Sequence, residues 1–153
     1  MQKINNISCK IAGAAGDGIL SAGMLFAKTC MRGGLDVFAT AEYPSLIRGG
    51  HNHLDVRVSD NVSSHSKNVD LLVALNQDAI DYHYYKIASG GAVIYDDEIN
   101  IAEKRKDVHH ISVPLKKIAT ENGGLIMRNT VAIGSIIGMT DFDLQLFDKI
   151  ISE

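Results

Sequence analysis

The sequence predicts an α/β protein: an open, mostly parallel sheet with helices on both faces, a Rossmann-like three-layer arrangement with room for one antiparallel strand. Three observations predict it. Short apolar runs of strand length alternate with segments of helical periodicity. A glycine-rich turn joins the first strand to the first helix. The chain has 153 residues, of which 46% are hydrophobic and 22% charged, so residues 1–153 are expected to form a single domain with an ordinary core.

The elements follow in order. Ile4–Ala12 reads as a strand entering the core, and Gly13–Gly18 follows at once. Ile19–Arg32 carries Leu20, Met24, Ala27 and Met31 on one helical stripe, with Ile19, Ala22, Phe26 and Cys30 beside it. Gly33-Gly34 ends that helix. Asp36–Thr40 is a second strand, which completes the opening of a βαβ unit. Ala41–Gly50 is a loop by composition. His53–Ser59 alternates apolar and polar residues, as a half-exposed strand does. Leu71–Leu75 is continuously apolar, as a strand covered on both faces would be. Asp78–Lys86 reads as a helix capped by Asp78. Gly90-Gly91 precedes the strand Ala92–Tyr95, and Val108–Val113 is the next strand. Pro114–Glu121, Arg128–Gly138 and Asp141–Ser152 are three final helices, the first opened by proline and the last capped by Thr140 or Asp141.

The bulk properties exclude several classes. A net charge of -3 gives no basic footprint for nucleic acid. Cys9 and Cys30 form no C-x-x-C pair, so a four-thiolate zinc or iron–sulfur site is not expected in this chain, and both read as buried thiols. No leader opens the chain and no apolar run reaches the roughly 18 residues of a membrane span, so a cytoplasmic protein is expected.

Two loops carry the chemistry. Gly13-Ala14-Ala15-Gly16-Asp17-Gly18 lets a ligand approach the backbone, and the helix that follows presents N–H groups and a partial positive charge suited to phosphate. Gly16, Asp17 and Gly18 are expected to donate backbone N–H groups, and Ser21 a hydroxyl. Asp17, an acid beside a phosphate, takes a backbone or helix-capping role. The order G-x-x-G-x-G is neither the dinucleotide fingerprint G-x-G-x-x-G nor a P-loop, which would need a lysine after Gly18. The second loop, Tyr43-Pro44-Ser45-Leu46-Ile47-Arg48-Gly49-Gly50-His51, follows the second strand. It should lie at the same carboxyl edge and bring Arg48 as a fixed cation.

These two motifs in this order, G-A-A-G-D-G then Y-P-S-L-I-R-G-G, resemble the γ domain or subunit of 2-oxoacid:ferredoxin oxidoreductases. HLDVRVS, DLLVALN, GGAVIYDDE and RNTVAIGSIIG fit the same pattern, so the resemblance covers essentially the whole chain. Many relatives read G-x-G-G-Q-G in the first loop; the GDG form resembles the pyruvate-oxidising branch. The resemblance implies a division of labour. Thiamine diphosphate with its Mg sits between α and β partner parts. Iron–sulfur clusters sit on β or a ferredoxin-like part, and ferredoxin meets the whole complex. The γ domain helps to cover coenzyme A, whose phosphates the glycine loop contacts. Gly13, Gly16, Asp17, Gly18, Ser21 and Arg48 are then the binding residues, and no residue of this chain is catalytic. In agreement, the sequence has no cluster cysteines and no Gly-Asp-Gly…Asn-Asn thiamine motif.

Other ionisable residues have plainer readings. His109 and His110 point to opposite faces of a strand. His51 and His53 share a side, but two histidines without a third ligand do not make a zinc site, so no metal is expected. Tyr82-His83-Tyr84-Tyr85 reads as a helix face meeting the core or a partner. Thr130–Gly138, apolar with small residues, suits close packing against another helix. Two alternatives remain: a free-standing dinucleotide-binding oxidoreductase domain, with Glu42 taking a ribose hydroxyl, and a structural assembly domain whose loop is empty.

Overall fold

The computed structural model describes residues 6–42, 49–140 and 142–152. Its six strands are β1 (Asn6–Ala14), β2 (Asp36–Glu42), β3 (His51–Ser59), β4 (Val69–Ala74), β5 (Ile87–Asp96) and β6 (His109–Val113). The helices are α1 (Ile19–Arg32), α2 (Gln77–His83), α3 (Leu115–Glu121), α4 (Arg128–Met139) and α5 (Leu144–Ile151), with 3-10 turns at Tyr84–Lys86 and Leu125–Met127. The strands form one sheet in the order β2-β3-β1-β4-β5-β6. β1, β4, β5 and β6 pair in parallel, while β3 runs against both β1 and β2. One antiparallel strand in an otherwise parallel sheet is what the sequence leaves room for.

The insertion of β3 has a simple origin. A short connection after β2 suits an antiparallel return, whereas parallel neighbours need a long crossover. β3 takes that return, and so β2 does not pair with β1 although a helix joins them. Alternation on β3 then divides it: Leu54, Val56 and Val58 face the main core, and His53, Asp55 and Arg57 the opposite side.

The main core lies under α1, α3, α4 and α5, and gathers Cys9, Ile11, Phe26, Leu54, Val73, Ile94, Leu115, Ile133 and Ile137. A smaller core on the other face holds Ala12, Leu72, Val93 and Tyr95 against Ala79 and Ile80 of α2. Both cysteines are buried; burial pushes the Cys30 thiol up to about 12 and the Cys9 thiol higher still. No described helix is long and apolar enough to cross a membrane.

Several local expectations are corrected. In α1 the buried stripe is Ile19, Ala22, Gly23, Phe26, Ala27 and Cys30, and Leu20, Met24 and Met31 are exposed. Small residues decide this: a Cβ on Gly23 would stand 1.7 Å from Leu54 Cδ2, so the helix lies close on β3. β1 continues through Gly13 and Ala14, which pair with Asn52 and His51. Asn76, not Asp78, caps α2, its side chain accepting from Ala79 N–H at 2.9 Å. Gly90-Gly91 lies inside β5, whose register with β4 shifts between Val69 and Leu71. Pro114 stands at the N-cap of α3 rather than in its first turn. Asp143 caps α5; Asp141 lies outside the described residues. The small-residue segment of α4 does pack against other helices, α1 and α3, with Ala132, Ile133, Ile136 and Ile137 in this chain's own core and Gly138 exposed.

Candidate functional site

β1 ends in the sheet's interior, and the chain must turn at once into α1. Ala14 C=O accepts from Asp17 N–H at 2.9 Å, closing the turn. Gly16 and Gly18 take φ of 101° and 71°, a region that disfavours any residue with a Cβ. Gly18 is the N-cap, and its carbonyl accepts the first helical bond, from Ala22 N–H at 3.0 Å. The N–H groups of Ile19, Leu20 and Ser21 therefore precede the ladder and carry the positive end of the helix dipole. No acid occupies the first turn of α1 to neutralise it.

Asp17 plays a different part from capping. Its Oδ2 accepts from Ala14 N–H at 2.8 Å, and its Oδ1 lies 2.7 Å from Arg128 Nη2. The carboxylate thus ties the loop to itself and draws the first residue of α4 to the glycine turn. Asn129 next to it donates Nδ2–H to Gly18 C=O at 3.2 Å. A Cβ on Gly18 would stand 2.1 Å from that amide nitrogen, so any side chain here would displace Asn129 and break this bond, on top of the cost of the backbone angle.

A cleft of about 730 Å³ opens here, lined by Gly16, Asp17, Gly18, Ser21, Lys116, Leu125, Ile126, Arg128 and Asn129 among others. Its polar end combines helix N–H groups, the Ser21 hydroxyl and two cationic side chains. Its other wall is apolar, with Ile126 84% exposed. A second cleft of about 330 Å³ shares Asp17, Lys116 and Arg128. Lys116 is held towards Glu98, and its N–H donates to Asp96 Oδ2 at 3.1 Å. Such a surface can bind a polyanion with an apolar extension. No histidine or cysteine lines the larger cleft among the described residues.

Gly16, Asp17, Gly18 and Ser21, singled out from the sequence, come together in this cleft. Gly13 does not line it: it lies in β1, where a Cβ would meet Asp17 Oδ2 at 2.8 Å and Leu75 Cβ at 3.0 Å. Arg48 lies outside the described residues. Its neighbours Gly49 and Gly50 do reach the glycine loop, through Gly49 N–H to Ala15 C=O (3.2 Å) and Ala15 N–H to Gly50 C=O (2.7 Å). The two loops singled out by composition are therefore physically joined. Arg128, Asn129 and Lys116 escaped the sequence reading, because they sit more than ninety residues downstream and nothing local marks them. The start of RNTVAIGSIIG was the available signal.

Two other readings change with the structure. Glu42 ends β2, but β3 separates that strand from β1, so the acid does not stand beside the glycine loop as a ribose-binding residue would. His51 and His53, set aside for want of a third ligand, have one: His83, at the end of α2, brings a ring nitrogen so that one from each residue lies within 4.8 Å of the others. The spacing hid it because the third ring arrives from another element. In the same segment Tyr84 Oη pairs with His110 Nε2 at 2.6 Å and accepts from Arg105 N–H at 2.7 Å.

Residues 8–153 match the family described as pyruvate ferredoxin/flavodoxin oxidoreductase. The chain belongs to that family. Ketoisovalerate oxidoreductase subunit VorA of Methanothermobacter marburgensis is 31% identical over 149 residues, covering 95% of this chain and 31% of VorA. The chain thus spans about a third of that relative. 2-Oxoglutarate synthase subunit KorC of Methanocaldococcus jannaschii is 29% identical over 138 residues, covering 86% of this family member and 74% of KorC. Among solved structures, 2-oxoglutarate:ferredoxin oxidoreductase from Magnetococcus marinus, with 2-oxoglutarate, coenzyme A and succinyl-CoA bound, superposes with a TM-score of 0.89 at 26% identity. That match covers 98% of this chain and 27% of the other. The γ subunit of a keto/oxoacid ferredoxin oxidoreductase from Geobacter sulfurreducens shares the fold, with a TM-score of 0.84 at 23% identity over 96% of this chain and 83% of that one.

Proposed function

We propose that residues 1–153 are a single γ-type domain of a 2-oxoacid:ferredoxin oxidoreductase complex, working in the cytoplasm, and that this domain contributes to coenzyme A binding and to assembly. The complex would convert a 2-oxoacid to an acyl-CoA with release of carbon dioxide and transfer of electrons to ferredoxin. Thiamine diphosphate with Mg and the iron–sulfur clusters would sit on α and β partner parts and supply decarboxylation and electron transfer there. This chain would hold the acyl acceptor and no catalytic group.

The observation that carries the reading is the cleft at the start of α1. Coenzyme A is a polyphosphate with a long, largely uncharged arm. The N–H groups of Gly16, Gly18, Ile19, Leu20 and Ser21 and the Arg128 and Lys116 side chains suit the phosphates, whereas the Asp17 N–H is taken by Ala14 C=O within the turn; Leu125 and Ile126 suit the arm. Arg48 supplies a further cation from the loop that Gly49 and Gly50 tie to the same turn. Asp17 binds no phosphate: it orients Arg128. Similarity to a solved complex with coenzyme A bound supports the same reading.

Steady-state kinetics of the whole complex tests it. Arg128→Ala and Arg48→Ala each remove a charge-assisted contact worth roughly 1.5–3 kcal/mol, so KM for coenzyme A rises about ten- to a hundredfold. Decarboxylation measured without coenzyme A stays unchanged, because the thiamine lies elsewhere. A wild-type KM in both variants would leave the cleft as an empty turn in an assembly domain.

A further inference from the structure

Away from the cleft, the polar side of β3 meets the end of α2. His51 and His53 stand two apart on that strand, and His83 closes α2 against them. His51 Nε2 and His83 Nε2 are 2.7 Å apart. The ring centroids of His83 lie 4.9 Å from His51 and 4.7 Å from His53. His53 and His83 are buried, at 8% and 3% exposure, and their Nδ1 atoms have no hydrogen-bond partner among the described residues. Buried polar atoms normally find partners; a metal would take up the His53 nitrogen, while His83, which meets His51 through Nε2, keeps its Nδ1 without a partner among the described residues.

The surroundings favour neutral rings. Burial, with the nearby Lys10 ammonium, pushes His83 down to about 3, and burial lowers His51 and His53 as well. A neutral imidazole is the form that ligates. Carboxylates stand behind the cluster: His53 Nε2 lies 3.5 Å from Glu42 Oε2 and 3.6 Å from Asp55 Oδ2. A carboxylate on one ring nitrogen with a metal on the other is the usual way a ligating histidine is oriented, and here it leaves Nδ1 of His53 for the metal. The Lys10 charge is balanced by its ion pair with Asp55, at 2.7 Å. Lys86 and Asp78 are the other charged groups that act on the cluster.

We propose that His51, His53 and His83 form a divalent metal site, of zinc type, that fastens α2 to β3. Three histidines with a fourth position open to water are a common zinc donor set. Zn–N bonds of about 2.0–2.1 Å in a tetrahedron set nitrogens about 3.3 Å apart, so His51 and His83 separate by a few tenths of an ångström on binding. The Tyr82 ring, 4.8 Å from that of His51 and half exposed, forms the rim of the open side.

The test uses the full chain, made without a histidine tag and stripped with chelator. Cobalt(II) is titrated as an optical probe, and zinc is then added in competition. One equivalent binds with the intense visible bands of low-coordinate cobalt, and zinc displaces it. His83→Gln and His53→Gln each weaken binding more than about a hundredfold, beyond the loss of an outer-shell partner. His65→Gln, at an exposed histidine, leaves it unchanged. His51→Gln, at a half-exposed ring, weakens binding too and serves where a buried variant loses its circular-dichroism spectrum. Wild-type affinity no greater than that of His51→Gln, or equal loss in His65→Gln, would overturn the site and leave the close nitrogen pair as a shared proton.

Discussion

Two glycines of one turn do different work at the level of single atoms. Gly16 has φ of 101° and open space where a Cβ would go; Gly18 has φ of 71° and the Asn129 amide there. Gly16→Ala therefore pays only for backbone conformation, about 1–2 kcal/mol. Gly18→Ala adds the loss of the Asn129–Gly18 hydrogen bond, about 1 kcal/mol more. Urea unfolding should rank Gly18→Ala below Gly16→Ala. Equal midpoints would show that Asn129 moves aside freely. The glycines themselves were legible, because a small-residue turn between strand and helix leaves a linear trace. Arg128 and Asn129 were not, since the ion pair and the hydrogen bond that bring them to the turn join residues more than a hundred positions apart. His83 was missed for the same reason.

Among the elements, α1 shows how a helix chooses its face. Periodicity offers two adjacent apolar stripes, and Leu20, Met24 and Met31 of one of them are exposed. The buried stripe sets the small residues Ala22, Gly23 and Ala27 among Ile19, Phe26 and Cys30, and the small residues let the helix lie close on β3. Gly23 is the contact that decides it. On an isolated helix Gly23→Ala would add about 1 kcal/mol of stability. Here the new methyl group meets Leu54, and overpacking costs about 1–3 kcal/mol. Net destabilisation is expected in urea unfolding, and in combination with Leu54→Ala the two losses should fall short of their sum. A stabilised Gly23→Ala would refute the tight packing. Strand positions were better forecast than helix faces, since the continuous apolar run at β4 follows directly from burial on both sides. The extent of β5 was not, because a paired glycine that signals a turn by composition is accommodated inside the strand by a register shift.

At the level of the whole molecule, the α/β class and the parallel centre of the sheet follow from alternation of strands and helices. The place of β3 does not, for alternation says which residues face out and not which strand lies beside which. Its insertion leaves β2 at the margin of the sheet, bonded among the described residues to β3 on one side only. Such a margin is a template on which a second molecule can add its own strand. β2 carries few obstacles: Val37, Phe38, Ala39, Thr40 and Ala41 are all compatible with a strand. Acids stand at its two ends, Asp36 and Glu42, both exposed. When two such margins approach antiparallel, each Asp36 meets a Glu42, and like charges oppose the union. Neutralising both, in Asp36→Asn with Glu42→Gln, should leave the melting temperature within a few degrees of the wild type while light scattering of the concentrated chain rises. If scattering stays flat, something other than these charges guards the margin. If scattering rises, aggregation of this chain is governed by two surface carboxylates rather than by the depth of its core.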